Sequence, residues 1–440
     1  MNSMSSDRVY KSRDLYLNKL IAFQDTEPVK VITGIRRCGK SSLLKLMIQH
    51  LLENGVSREQ IVEMNFESHE FKDLSSDGLY NHIKDLVVPG KRMYLFLDEI
   101  RRVPAWEEAV NAFRVDLDCD IYITGSNAYL LSSEYATYLS GRCVEIKMLP
   151  LSFREFMDFH GFQLRETQSA LGGTRKHALG PNGETYDLRE VFDAYLRFGG
   201  MPGIADVGLD QERALTLLDG IYSTVVVRDI LEREKCRGQR QITDPVLLRK
   251  IILFLADNIG CSVSANSIGN TLVNEGLLEG GKRKNAPSAH TVQAYVGALL
   301  ESYIFYEVKR FDIKGKEFLR TLGKYYIADI GLRNYLLGFR DRDTGHVLEN
   351  IVYFELLRRG YDVAIGKVDN AEIDFVATKA DEKIYVQVTE SMTSEDVRKR
   401  ELNPLQKVRD NYEKTVLSLD PGFETSYEGI KSRDLIDWLI

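Results

Sequence analysis

Residues 29–44 read VKVITGIRRCGKSSLL, and their interpretation decides the fold. VKVIT is a short β-branched run of the kind that forms a buried strand. Downstream, Leu43, Leu44, Met47, Ile48, Leu51 and Leu52 recur at helical spacing, and Gly55 follows as a plausible C-cap. Between strand and helix, GIRRCGKSS fits G-x4-G-K-[ST] through Gly34, Gly39, Lys40 and Ser41. Glycines let the backbone curl, so that the amides of Ile35, Arg36, Arg37 and Cys38 and the helix start at Ser41 and Ser42 face a phosphate group. Lys40 then neutralises phosphate charge, and the Ser41 hydroxyl is placed to ligate magnesium. A structural glycine turn with an incidental lysine is the competing reading, and the flanking strand and helix weigh against it.

Working outward, residues 29–151 alternate short apolar runs with helical patterns, which predicts a three-layer α/β domain on a parallel sheet. MYLFLDEI ends an apolar strand in two carboxylates. Asp98 is thereby expected at the C-terminal edge of the sheet, beside the magnesium, with Glu99 as the base that orients water. The run DIYITGSN ends in Thr124, Ser126 and Asn127. That polar cluster suits hydrogen bonds to a terminal phosphate or to water, and equally suits a simple turn.

Composition sets the bounds. The chain has 440 residues, 44% hydrophobic and 28% charged, which is ordinary globular usage sufficient for several domains. A net charge of -7 disfavours a whole-surface polyanion binder and leaves room for a local basic patch. No apolar run approaches a bilayer span and no secretory leader is visible, so a soluble, cytoplasmic protein with no membrane partner is expected. Cys38, Cys119, Cys143, Cys236 and Cys261 are scattered and never form CxxC, which fits reduced thiols better than a disulfide or zinc framework.

VITGIRRCGKSSLL, YLFLDEI, TGSNAYLLS and LSGRCVEIKMLPLSFREF together resemble the prokaryotic AAA-type ATPases that carry an uncharacterised C-terminal domain. The likeness continues through FGGMPGIA, KYYIADIGLRN and VLENIVYFELLRRGY, nearly the whole chain. It implies an AAA-type P-loop NTPase core of the additional-strand kind, with ATP and Mg2+ as cofactors and ATP hydrolysis to ADP as the activity. Adenine follows from the resemblance, since no guanine-reading NKxD stretch occurs. By position, Asn127 and Ser126 become the sensor. Arg142, just ahead of CVEIKM, takes the place of an arginine finger supplied by a neighbouring subunit of a homo-oligomer, a local surface arginine being the alternative. Pro202 of GGMP resembles an element that rests against the nucleotide, and a Gly-Pro turn between helices is the alternative.

The expected organisation is an ATPase core over residues 1–160, a linker and helical lid over 161–240, a winged-helix-like domain over 241–335 and a nuclease-like domain over 336–440. Residues 161–187 are polar and Gly-rich and read as loop. SAHTVQAYVGALLESYI resembles a recognition helix, YIFYEVKRFD and FLRTLGKYYIAD the wing, and KRK (Lys282, Arg283, Lys284) lies just ahead. No Lys or Arg falls between Ala286 and Val308, so DNA contact competes with a packing or subunit-contact role. The last hundred residues resemble a restriction-endonuclease-like α/β fold, with Glu349 on a helix and Asp374 on a strand. Where its chemistry needs a second acid and a lysine, this sequence has Gln387 and Thr389. Catalytic degeneracy is therefore expected. The function reads as Mg-dependent ATP hydrolysis, with a slow nucleotide-dependent switch, DNA-associated or not, as the alternative and an ATP-dependent nuclease disfavoured.

Overall fold

The computed structural model describes residues 10–128, 141–168, 174–225, 230–231, 242, 244–274, 287–318, 323–340, 343–420 and 425–440. The chain divides into two compact units, one running to Leu149 and including Glu301–Tyr303, the other holding Pro150–Leu300 and Ile304–Ile440.

In the first unit α1 (Asp14–Ala22) precedes β1 (Val29–Thr33), α2 (Lys40–Glu53), β2 (Ile61–Asn65), α3 (Ser76–Asp85), β3 (Met93–Asp98), α4 (Trp106–Asp116), β4 (Cys119–Gly125) and β5 (Cys143–Lys147). The sheet runs β2-β3-β4-β1-β5, and every pairing is parallel. One strand, β4, therefore separates the glycine-loop strand β1 from the carboxylate strand β3. β1 and β3 are buried at every position, as strands covered on both faces must be. Met93, Leu95 and Leu97 pack with Leu79, Ile83, Trp106, Val110 and Phe113 of α3 and α4. The alternate residues point to the opposite face, where Phe96 stacks on Tyr122 with ring centroids 4.7 Å apart. α2 meets β4 through a separate buried stripe, Leu43, Leu44, Met47, Ile48 and Leu51, and packs against α1. The result is a three-layer α/β sandwich, as the alternating pattern predicts.

The second unit opens with α5 (Phe153–Phe159). The stretch expected to be a loop instead forms an antiparallel meander, β6 (Gln163–Gln168), β7 (Thr174–Leu179) and β8 (Thr185–Tyr186). β6 has no buried residue, so it lacks the apolar alternation that would mark a strand in sequence. Helices α6 (Leu188–Phe198), α7 (Ile204–Val207), α8 (Gln211–Thr224) and α9 (Pro245–Asp257) follow. Next come β9 (Ser262–Val263), α10 (Ala265–Asn274) and α11 (Ala289–Glu301).

The expected wing strand divides. β10 (Phe305–Val308) pairs with β13 (Gly323–Ile327), which also pairs with β9. β11 (Arg310–Asp312) leaves that sheet for another. There it joins the eight-stranded sheet β12-β11-β14-β15-β16-β17-β19-β18 with β12 (Glu317–Phe318), β14 (Asp362–Val368), β15 (Ala371–Lys379), β16 (Glu382–Val388), β17 (Glu413–Ser418), β18 (Thr425–Tyr427) and β19 (Ile430–Asp434). The C-terminal sheet thus takes strands from before residue 336. α12 (Ile330–Leu337) packs on α6, α8 and α9, and its Asn334 Nδ2 donates to the carbonyls of Leu196 and Arg197 at 2.8 and 2.9 Å. α13 (Thr344–Arg358), α14 (Glu395–Gln406) and α15 (Leu435–Leu439) complete the unit.

Candidate active site

β1 ends at Thr33, and the loop after it is held by backbone contacts that leave no room for other residues at its first position. Gly34 has φ +140°, and a Cβ there would lie 2.1 Å from the Met148 carbonyl oxygen. Gly39, at φ +106°, caps α2. Ile35 and Cys38 are completely buried, so their side chains belong to the core beneath the loop. The Cys38 amide donates to the Ile35 carbonyl at 3.3 Å. Lys40 is buried, and its ammonium donates to the carbonyls of Gly34 and Ile35 at 2.9 and 3.1 Å. Arg36 pairs with Glu67 at 3.1 Å, whereas Arg37 is exposed. Ser42 is half-buried at the helix start.

Asp98 closes β3, and its neighbours come from two other strand ends and the helix start. Asn65 Nδ2 donates to Asp98 Oδ2 at 3.2 Å, the Thr124 hydroxyl donates to Oδ1, and Ser41 hydrogen-bonds the same carboxylate. Burial raises the Asp98 carboxyl above its ordinary range, the Thr124 and Ser41 hydrogen bonds work against that shift, and the Glu99 charge adds to it. A hydroxyl and a carboxylate side by side form an all-oxygen donor set that suits Mg2+.

Glu99 turns out of the strand at φ +55°, and its amide donates to Thr124 Oγ1 at 2.9 Å. Burial works to raise this carboxyl, yet Arg101, Lys40 and Arg36 outweigh it and hold it below its ordinary range. Adjacent carboxylates are thereby pushed in opposite directions, which suits one to a metal and the other to separate duties. Arg101 Nε lies 3.1 Å from Glu99 Oε2, and Arg101 Nη2 donates to Ser126 Oγ at 3.0 Å. The sequence reading missed Arg101 and Asn65. The arginine directly follows DEI, a proximity that offers the only local hint.

Ser126 and Asn127 are buried just beyond the end of β4. Arg142 is exposed before β5, and its Nη1 reaches Asn111 Oδ1 at 3.5 Å. Arg13 is another contributor that the motifs did not reveal. Its buried guanidinium donates to the carbonyls of Cys38 and Leu149, each at 3.0 Å, and so braces the glycine loop.

In the second unit, the glycines of GGMP have a packing reason. The Gly200 amide donates to Asp329 Oδ2 at 2.6 Å, its carbonyl accepts from Leu151 N at 2.7 Å, and a Cβ there would meet Leu151 O at 2.4 Å. Pro202 is half-buried at the turn that follows. Lys282, Arg283 and Lys284 lie outside the described residues.

The C-terminal constellation is tied up internally. Asp374 Oδ2 accepts from Val388 N at 2.8 Å, and Gln387 bridges from the Asp374 amide to Glu401 Oε2, 3.0 Å from Gln387 Nε2. Position 389 is indeed a threonine, but β13 brings Lys324 to 3.4 Å from Glu349 and 2.9 Å from Glu372. That cation was invisible in the order of motifs. Among the described residues, no group of three or more His, Cys, Asp or Glu is arranged to hold a metal ion. No helix among them is long and apolar enough to cross a membrane.

Comparison with known proteins places these features. Residues 26–157 match the family described as an AAA domain, and residues 189–343 match a domain of unknown function, DUF8612. The second match runs continuously across α6 to α12. An uncharacterised protein of Haemophilus influenzae is 38% identical over 431 residues, 98% of each chain. An uncharacterised protein of Methanocaldococcus jannaschii is 29% identical, over 90% of this chain and 83% of its own. Among solved structures, a Walker-type ATPase of Pyrococcus abyssi aligns with 76% of this chain and 98% of its own at 16% identity, with a TM-score of 0.47.

Proposed function

We propose that this chain, which belongs to the same family as the uncharacterised Haemophilus influenzae protein and carries an AAA domain over residues 26–157, binds ATP with Mg2+ and hydrolyses it to ADP and phosphate. The observation that carries the reading is the meeting of Ser41 with Asp98, residues from the start of α2 and the end of β3. In this reading Lys40 exchanges its loop carbonyls for phosphate oxygens, and the loop backbone from Gly34 to Gly39, with Ser42, encloses the phosphates. Ser41 and Asp98 hold the magnesium, which supplies charge neutralisation when bound. Glu99 receives a proton from the attacking water, while Ser126 and Asn127 orient the terminal phosphate. Arg142 acts on the nucleotide of a neighbouring copy, and Pro202 rests against the nucleotide. Calorimetric titration with MgATP tests the first step. Wild-type protein should bind, and Lys40→Ala should bind at least about tenfold more weakly. Equal affinities would refute the assignment.

A slow nucleotide-loaded switch is the second reading, favoured by the Arg101 guanidinium on the Glu99 carboxylate. A general base held in an ion pair is a weak base. DNA remains a partner to be tested with this reading, by comparing turnover with and without duplex. The C-terminal domain acts here in binding or assembly, not in cutting nucleic acid.

A further inference from the structure

Cys261 sits between α9 and β9, in the second unit. Its Sγ lies 3.8 Å from His346 Nε2, on the first turn of α13. The other ring nitrogen, Nδ1, lies 3.3 Å from Glu349 Oε1. Glu349 is anchored in turn, with Oε2 3.4 Å from Lys324 Nζ and 3.2 Å from the Tyr326 hydroxyl. Thiol, imidazole and carboxylate are therefore in line, each holding the next. Gly260 makes this packing possible, because a Cβ there would stand 2.8 Å from His346 Nδ1 and 3.1 Å from Glu349 Oε2.

The order of the groups fixes the chemistry. Glu349 accepts the Nδ1 proton, so the Nε2 lone pair faces the thiol and can take its proton. Cys261 and Glu349 both favour the protonated imidazole and push it up to about 10. Burial alone would raise the Glu349 carboxyl, but His346 and Lys324 keep it below its ordinary range. The other described cysteines lack such a partner. Burial raises the Cys119 thiol to about 12 and also raises Cys143, and Cys38 is fully buried with its sulfur against the Met148 carbonyl.

We propose that Cys261 is an activated thiol and a covalent modification site for small hydroperoxides, with His346 as its proton partner and Glu349 as the residue that orients the ring. The Cys261 thiolate attacks one peroxide oxygen. An S–O bond forms and the O–O bond breaks, so sulfur is oxidised by two electrons to a sulfenic acid. Attack falls on the terminal oxygen, and the departing alkoxide, or hydroxide when the oxidant is hydrogen peroxide, takes the Nε2 proton of His346 and leaves as alcohol or water. Acyl transfer is less well served, because it needs free amide donors for an oxyanion. Here the amides of Gly260 and Cys261 donate to the carbonyls of Tyr325 and Asn258, at 3.1 and 3.2 Å. His346, with Glu349 and Asp374, lines an open cavity of about 750 Å³.

The test uses the full-length protein at neutral pH, with alkylation by iodoacetamide followed residue by residue by peptide mapping. Proton acceptance by His346 during attack is expected to raise the alkylation rate of Cys261 about tenfold over an unassisted thiol. Cys261 should therefore react about tenfold faster than Cys119 and Cys143, and His346→Asn should remove that advantage while leaving the melting temperature unchanged. His346 is 46% exposed, so the substitution spares the core. Hydrogen peroxide followed by dimedone should label Cys261 in the parent and much less in the variant. Equal or faster labelling of Cys261 in His346→Asn would overturn the proposal, as would a parent in which Cys261 reacts no faster than Cys143.

Discussion

Arg101 grips Glu99 and Ser126 with one guanidinium, Nε 3.1 Å from the carboxylate and Nη2 3.0 Å from the hydroxyl. The residue assigned to activate water is thus joined to one assigned to sense the phosphate. Removing the guanidinium frees the carboxylate and restores its basicity. Arg101→Ala is expected to raise basal ATP turnover about threefold or more, with KM for ATP little changed. A fall in turnover would make Arg101 a positioning residue for Glu99 instead of a restraint.

Gly34→Ala should be among the most damaging small substitutions in the first unit. Its Cβ would overlap the Met148 carbonyl oxygen at 2.1 Å, in a backbone conformation at φ +140° that L residues avoid. Neither atom belongs to a flexible side chain, so the backbone itself must move. A loss of about 2 to 4 kcal/mol is expected, read as a lowered melting temperature together with lost nucleotide binding. A variant as stable as the parent would show that the loop has another accessible conformation.

How much of this was legible in the sequence depends on distance along the chain. Gly34, Lys40 and Ser41 are contiguous, and a strand and helix frame them, so the phosphate loop declares itself. Asp98 and Glu99 are legible because an apolar run ends on them. Arg13 is not, since it reaches Cys38 and Leu149 through contacts that only folding creates. Lys324 escaped for the same reason, arriving beside Glu349 from a different sheet. The meander at 163–186 was read as loop because the stretch is polar and β6 has no buried residue, so burial leaves no period-two signature there. The stretch 305–312 reads as one strand because periodicity cannot show that Lys309 is where the chain changes sheets.

Asp329 offers a pH signature in the second unit. Burial raises its carboxyl to about 6, against the backbone hydrogen bonds from Gly200, Leu332 and Gly331. Folded protein therefore holds a proton that the unfolded chain releases near 3.8, so stability from this group is full below that pH and is lost as pH rises to about 6. Relative to Asp329→Asn, the wild-type protein should lose about 2 kcal/mol between pH 4 and 6. Melting curves of both proteins across that range check it. A constant gap between them would mean that Asp329 titrates alike in both states.

Arg142 lies exposed ahead of β5, its backbone carbonyl accepting from Val29 N at 2.9 Å and its guanidinium making a 3.5 Å contact with Asn111. If it serves a neighbouring copy, Arg142→Ala should bind ATP normally and hydrolyse it about tenfold or more slowly. Mixing it with Glu99→Gln should restore part of the turnover, because each variant supplies its intact half to a shared interface. No restoration in mixed oligomers demonstrated by native mass would assign Arg142 a role within its own chain.

Glu99 carries the central claim, and steady-state hydrolysis of MgATP by Glu99→Gln tests it most directly. The substitution keeps the side chain's size and removes its capacity to take a proton. The account predicts ATP and magnesium binding like the parent, with turnover reduced about a hundredfold or more. Hydrolysis at the parental rate would contradict it.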